Sequence, residues 1–319
     1  MTQNIDFELT GKKIFVCGHK GMVGSAIMRR LANENCTIVT ADRSELDLRD
    51  DRAVKDWLGA AKPDAVILAA AKVGGILAND TMPLPFLLDN LRIQNAVING
   101  AFEQGVSKLL FLGSSCIYPV QAVQPMAEDS LLTGPLEATN QWYAIAKITG
   151  IKLCQAFRKQ FGANFIAAMP TNLYGPHDNY HPTESHVVAA LIRRFHQAKL
   201  ENHDDLVIWG SGKPLREFLY VDDLADGLVH LLKHYNDEQP INIGTGQEVS
   251  IQQLAEMLKD VSGWQGNLVF DVTKPDGAPR KVMQNDRIHA LGWQHKTELR
   301  NGLEKAFAWF DENQRAARL

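Results

Sequence analysis

Lys13-Ile14-Phe15-Val16-Cys17-Gly18-His19-Lys20-Gly21-Met22-Val23-Gly24 passes from a short apolar run straight into a glycine-rich turn and then an amphipathic segment. That order decides the fold. The apolar run reads as a buried strand. The glycines after it allow a tight turn whose amides, together with the N-terminus of the next helix, can approach a pyrophosphate. The spacing Gly18-x-x-Gly21-x-x-Gly24 departs from the commoner Gly-x-Gly-x-x-Gly, so its weight comes from its place after the first strand.

Working outward, Thr37-Ala41, Ala65-Ala70 and Lys108-Gly113 read as further buried strands, and Gly21-Glu34, Asp51-Ala61 and Pro85-Gln104 as helices between them. Repeated strand–helix units with right-handed crossovers predict an α/β fold, a doubly wound parallel Rossmann sheet. Tyr143-Phe161 continues as a long helix and Asn164-Met169 as a strand, after which Pro176-Pro182 breaks the pattern. Helices are expected again at Glu184-Ala198, Val221-His234 and Ser250-Ser262. The expected division is a nucleotide-binding domain over 11–175 with a returning segment at about 218–246. A smaller C-terminal substrate-binding domain covers 176–217 and 247–319.

Composition narrows the function. A net charge of −4 and the lack of a long basic run argue against nucleic acid or an anionic membrane surface as partner. The four cysteines, Cys17, Cys36, Cys116 and Cys154, are far apart and form no Cys-x-x-Cys pair, so neither a metal site nor a disulfide framework is expected. No apolar run approaches ~18 residues and Met1-Thr10 is polar, which predicts a cytoplasmic protein acting on a small ligand.

The residues at the strand ends suggest chemistry. Asp42 stands where a carboxylate would accept hydrogen bonds from a free ribose 2′-hydroxyl and repel a 2′-phosphate, which favours NAD. Arg43 and Lys20 could instead neutralise a 2′-phosphate, which favours NADP. Tyr143 and Lys147 lie one helical turn apart on one face. The lysine charge would lower the tyrosine pKa and hold the nicotinamide ribose, while Ser114, or Ser115 in another register, binds the substrate oxygen. Such a ketone reduction needs no thiol, yet Cys116 follows Ser115 directly. A thiol there implies removal of a proton from the carbon beside the ketone.

Taken together, the turn, the Gly113-Ser114-Ser115 segment and the Tyr143/Lys147 pair resemble the extended short-chain dehydrogenase/reductase family over nearly the whole chain. Within it, Gly18–Ser25, Ala69–Gly75, Leu112–Pro119 and Pro170–Asn179 are similar to the GDP-L-fucose synthases. So are Ser185-His186, Trp209–Gly212, Arg216–Phe218 and Lys274–Gly277. The resemblance implies one site that epimerises GDP-4-keto-6-deoxy-D-mannose at C3 and C5 and then reduces its C4 ketone with NADPH. Cys116 would be the base and His186 the acid, with Ser114, Tyr143 and Lys147 completing the catalytic set.

The same resemblance implies cofactor contacts from Gly18, His19, Lys20, Gly21, Met22, Val23 and Gly24, then from Asp42, Arg43, Asp47 and Leu48. Further contacts come from Ala70, Ala71, Leu112, Gly113, Ser114, Tyr143, Lys147, Pro170, Thr171, Asn172, Leu173 and His186. Arg194, Trp209, Arg216 and Asp276 are implied for the nucleotide-sugar, and a homodimer is implied through the helices at Pro85-Gln104 and Tyr143-Phe161. Ala41-Asp42-Arg43 departs from the family's usual surroundings at the second strand, which leaves NADH open beside NADPH, and bulky Trp142 precedes the tyrosine. Two rival readings stand beside this one. The first is an epimerase/reductase of a related GDP-4-keto sugar, as for colitose or a 6-deoxyheptose, and the second is a non-catalytic dinucleotide-binding regulator.

Overall fold

The structure, a computed structural model, describes residues 6–274 and 276–314. Residues 1–5 of the polar N-terminal stretch, Pro275 of the Lys274–Gly277 motif and residues 315–319 of the expected C-terminal domain lie outside the described residues.

In chain order the sheet domain begins with β1 (Lys13–Cys17), α1 (Met22–Leu31), β2 (Thr37–Val39), α2 (Asp51–Ala61) and β3 (Ala65–Leu68). It continues with α3 (Ile76–Thr81), α4 (Pro83–Glu103), β4 (Lys108–Leu112), α5 (Gln141–Phe161) and β5 (Phe165–Pro170). Next come β6 (Asn172–Tyr174), α6 (Val187–Leu200), β7 (Asp205–Trp209), β8 (Leu215–Tyr220), α7 (Val221–His234) and β9 (Ile241–Ile243). The last elements are β10 (Glu248–Ser250), α8 (Ile251–Ser262), β11 (Asn267–Asp271), β12 (Arg280–Lys281), α9 (Asp286–Ala290) and α10 (Leu299–Asn313).

Six strands form a parallel sheet in the order β2-β1-β3-β4-β5-β9. The expected doubly wound fold is present. Strands β3, β4, β5 and β9 are buried along their whole length because helices cover both faces. Alternation along β1 divides the core. Ile14 and Val16 pack with Ile27, Leu31 and Leu228 beneath α1 and α7, whereas Phe15 and Cys17 pack with Val54, Leu58 and Val97 beneath α2 and α4. Each fully buried aliphatic side chain contributes about 1.5–3 kcal/mol. The connection after β1 runs outward to β2 and the one after β3 runs the other way to β4, which opens a crevice at the carboxyl ends of β1 and β3.

A second sheet centres on β8, which pairs with β10 antiparallel and with β12 and β6 in parallel. β7 and β11 form a parallel pair. Helices α6, α8 and α10 enclose a third core around Tyr174, Tyr180, Phe195, Leu254, Leu258 and Phe310. Hence β8 lies between the nucleotide end of the first sheet and the C-terminal elements.

Two boundaries differ from the sequence reading with clear causes. Helix α6 begins at Val187 rather than Glu184, because the Glu184 carbonyl accepts the Gly75 amide at 2.8 Å and is unavailable to a helical turn. Helix α5 begins at Gln141, so Trp142 lies in its first turn, exposed, rather than in a loop.

Candidate active site

The turn after β1 is built for close approach. Gly18 has φ +84°, and a Cβ there would lie 2.9 Å from the Cα and N of Ala70 beyond β3. A Cβ on Gly24 would strike the Gly18 carbonyl oxygen. The Gly21 amide donates to that same carbonyl at 2.9 Å, closing the turn under the first residue of α1. No side chain caps α1 and no acidic residue occupies its first turn, so its N-terminal amides and positive dipole end remain available to an anion. These features fit a dinucleotide pyrophosphate. Met22 and Val23 pack against the core, and Ala70, just beyond β3, faces the turn with Ala71 next along the chain.

At the end of β2, Asp42 and Arg43 stand in different surroundings. The Asp42 carboxylate accepts from Lys20 Nζ at 2.7 Å and faces His19 Nε2 at 3.1 Å. Hydrogen bonding to Lys20 holds its pKa below the ordinary carboxylate value. Its charge is therefore already offset, while Arg43 is exposed beside it. Asp47 is held near a pKa of about 2 by Arg49, whose guanidinium donates to it at 2.7 Å, and Leu48 packs against the core.

Ser114, Cys116, Tyr143 and Lys147 come together at the end of β4. Ser114 Oγ accepts the Cys116 amide at 3.3 Å across a short 3-10 turn, and its hydroxyl faces the Tyr143 phenol. The hydroxyl facing the tyrosine is that of Ser114; Ser115 is buried beneath it. Lys147, also buried, donates to the Leu112 carbonyl at 2.7 Å with its ammonium 4.8 Å from the Phe111 ring centre and 5.7 Å from that of Tyr143.

Here the electrostatics depart from the sequence expectation. Burial raises the Tyr143 pKa, Cys116 adds to the rise, and only the Ser114 hydrogen bond opposes it. Burial pushes Lys147 down to about 7. Desolvation thus outweighs the expected lowering of Tyr143 by the lysine charge. Burial therefore favours the neutral phenol.

His186 immediately precedes α6, and its loop is fastened to the segment after β3. Besides the Gly75–Glu184 bond, a Cβ on Gly75 would lie 2.7 Å from the Ser185 carbonyl oxygen. His186 is exposed, and desolvation by the surrounding protein lowers its pKa. No hydrogen bond among the described residues joins His186 to Cys116. Pro170, Thr171, Asn172 and Leu173 end β5 and enter β6, where Asn172 Nδ2 donates to the Glu217 carbonyl at 2.8 Å.

Trp209, Arg216 and Asp276 also converge. Asp276 accepts from the Ser211 amide at 2.8 Å and its hydroxyl at 2.7 Å, next to exposed Trp209. Arg216 donates to the Ala278 carbonyl at 2.7 Å, and burial lowers its pKa. Arg194 reaches the group from α6 by donating to the Val207 carbonyl on β7.

Several positioning residues escaped the sequence reading. Asn90 on α4 accepts the Lys72 amide at 2.8 Å and donates to its carbonyl at 3.0 Å, and Asn79 donates to the Gly74 carbonyl at 2.8 Å. Together they fix the loop that holds the His186 segment. The buried Glu217 carboxylate accepts from the amides of Thr245, Gly246 and Met283 at 2.6–2.9 Å, locking three segments around Arg216. Lys281 on β12 points its ammonium at the Cys116 sulfur, 3.7 Å away. Among the described residues no group of three or more His, Cys, Asp or Glu could hold a metal ion, and no helix is long and apolar enough to cross a membrane.

Residues 14–244 match the NAD dependent epimerase/dehydratase family. The chain is 59% identical to a GDP-L-fucose synthase of Sinorhizobium fredii over 305 residues, 96% of this chain and 97% of the relative. It is 50% identical to the GDP-L-fucose synthase of Escherichia coli, covering 96% and 98%. A solved GDP-L-fucose synthetase from Naegleria fowleri, described as bound to NADP, superposes with a TM-score of 0.90 at 32% identity and 98% coverage of each chain.

Proposed function

Because the chain belongs to the NAD dependent epimerase/dehydratase family, we propose how its residues divide the work of a two-stage conversion at one site. It is an NADP-dependent epimerase and reductase that turns GDP-4-keto-6-deoxy-D-mannose into GDP-L-fucose. NADPH, when bound, supplies the hydride for the C4 ketone. The Gly18–Gly24 turn and the start of α1 would bind its pyrophosphate, Arg43 would meet its 2′-phosphate with Asp42 paired to Lys20, and Lys147 would hold the ribose.

Carbons 3 and 5 both flank the C4 ketone, so their hydrogens are acidic and one acid/base pair serves both after a small shift of the sugar. Cys116 removes a proton from one face, and His186 returns one to the other. Ser114 and Tyr143 hold the ketone oxygen while it carries negative charge. In the reduction Tyr143 gives that oxygen its proton, with Ser114 still bound to it. Arg194, Trp209, Arg216 and Asp276 hold the GDP portion.

The observation that carries this reading is the place of Ser114: its oxygen accepts the Cys116 amide and its hydroxyl faces the Tyr143 phenol, which supports epimerase and reductase groups that address one substrate oxygen. A further proposal is the domain division itself, 11–175 with about 218–246 for the cofactor and 176–217 with 247–319 for the sugar. The pairing of β9 with β5 and the separate core of α6, α8 and α10 support it. We also place the chain in the cytoplasm as a homodimer joined through α4 and α5, where Leu84, Trp142 and Ile145 are exposed.

Incubation with GDP-4-keto-6-deoxy-D-mannose and NADPH, followed by product stereochemistry, tests the assignment. GDP-L-fucose is the expected product, and a sugar reduced at C4 with C3 and C5 uninverted would refute the epimerase half. Turnover confined to a different GDP-4-keto sugar would favour the colitose or heptose alternative.

A further inference from the structure

We propose that Lys281 is the positioning residue that stabilises the charge on the Cys116 sulfur during epimerisation, a role that rests on Cys116 acting as the base. Lys281 Nζ lies 3.7 Å from Cys116 Sγ, within the range of a charge-assisted contact to sulfur. Its charge is not committed elsewhere: among the described residues no carboxylate lies at ion-pair distance from it, whereas its neighbour Arg280 pairs with Glu248 at 2.8 Å. The other groups brought against this turn are the Tyr143 phenol and the Ser114 hydroxyl, which carry no positive charge, and Lys147, whose ammonium is turned onto the Leu112 carbonyl at 2.7 Å. Lys281 therefore supplies the counter-charge.

The backbone around it is fixed on both sides. Lys281 pairs with Arg216 in the β8–β12 ladder. The Val282 amide donates to Gln124 Oε1 at 2.9 Å, the Met283 amide to the buried Glu217 at 2.9 Å, and the Val282 carbonyl accepts the Met126 amide at 2.9 Å. One short strand thereby joins Arg216, on the GDP side, to the thiol. As the sulfur accepts the proton from C3 or C5, its negative charge passes to the substrate oxygen beside Tyr143 and Ser114.

An ammonium beside a thiol acts in two opposed ways. It raises the thiolate fraction at neutral pH and weakens each thiolate as a nucleophile, with a sensitivity of about 0.4–0.5 per unit of acidity. A tenfold loss of acidity on removing Lys281 therefore slows reaction at neutral pH about threefold, while in alkali the fully ionised thiol reacts about threefold faster. Displacement of the sulfur by mere loss of packing would slow reaction at every pH.

The test is the pH profile of reaction with 4,4′-dithiodipyridine for the full-length enzyme, using the signal that Cys116→Ser abolishes. We expect Lys281→Met to move the midpoint up by about one pH unit, with crossing rate curves, and Lys281→Arg to restore the original profile. Lys281→Gln serves as a second neutral variant, and NADPH affinity reports folding. An unmoved midpoint in both neutral variants, or a uniform loss of rate at all pH values, would overturn the proposal. This measurement reads the Lys281–Cys116 coupling alone. Solvent deuterium exchange in Cys116→Ser reads separately whether the thiol is the base.

Discussion

The Gly75 amide donates to the Glu184 carbonyl at 2.8 Å, and this bond ties the loop after β3 to the residues that start α6. His186 owes its position to that tie. A side chain at Gly75 would press on the Ser185 carbonyl, 2.7 Å from where its Cβ must sit. Gly75→Val is therefore expected to cut deuterium exchange at C3 and C5 by about 100-fold, the cost of a displacement of about 1 Å. Stability should fall by only about 1–3 kcal/mol. Exchange kinetics and urea unfolding on the same preparation check both.

Gly24 is the stricter position. Its missing Cβ gives room to the Gly18 carbonyl, which also closes the turn through Gly21. Gly24→Ala should cost about 3 kcal/mol through overpacking and abolish saturable NADPH binding. Fluorescence titration and chemical denaturation measure the two losses.

Lys147 makes stability depend on pH. Burial holds it at about 7 in the folded protein against about 10.4 when unfolded, so folding releases its proton between those values. The unfolded chain binds more protons there, and stability rises with pH. Relative to Lys147→Met, the wild type should gain up to about 1.4 kcal/mol per pH unit between pH 7 and 10, and nothing below pH 6. Denaturant unfolding at several pH values tests the slope. The same variant should lose at least about 100-fold in reduction rate.

Cofactor choice should follow charge at the end of β2. Removing the exposed guanidinium in Arg43→Ala is expected to lower the NADPH-to-NADH ratio of kcat/KM about tenfold, the value of one charge-assisted hydrogen bond. Asp42→Ala should shift the ratio the opposite way, because Lys20 loses the carboxylate that now neutralises it. Paired steady-state kinetics with both reduced cofactors decides.

Much of this was legible in the sequence because local rules carry it. Gly18, Gly21 and Gly24 after an apolar run specify strand, turn and helix, and the Tyr143/Lys147 spacing specifies one helix face. Lys281 was not legible. It sits on a two-residue strand whose partner, β8, is remote in sequence, and an isolated lysine reads as surface. Glu217 was hidden for the same reason: its three backbone donors come from segments that only the fold assembles. The direction of the Tyr143 shift was missed because burial outweighs a neighbouring charge, and burial is a tertiary property.

If one site holds both an epimerase and a reductase, Cys116 is the group that must take the proton from C3 and C5. Incubating the enzyme with GDP-4-keto-6-deoxy-D-mannose in D2O without reduced cofactor measures that directly, by the rate at which deuterium enters C3 and C5. Wild type should exchange both positions, and Cys116→Ser, with NADPH affinity intact, should exchange them at least about 100-fold more slowly. Equal exchange rates in the two proteins would contradict the account.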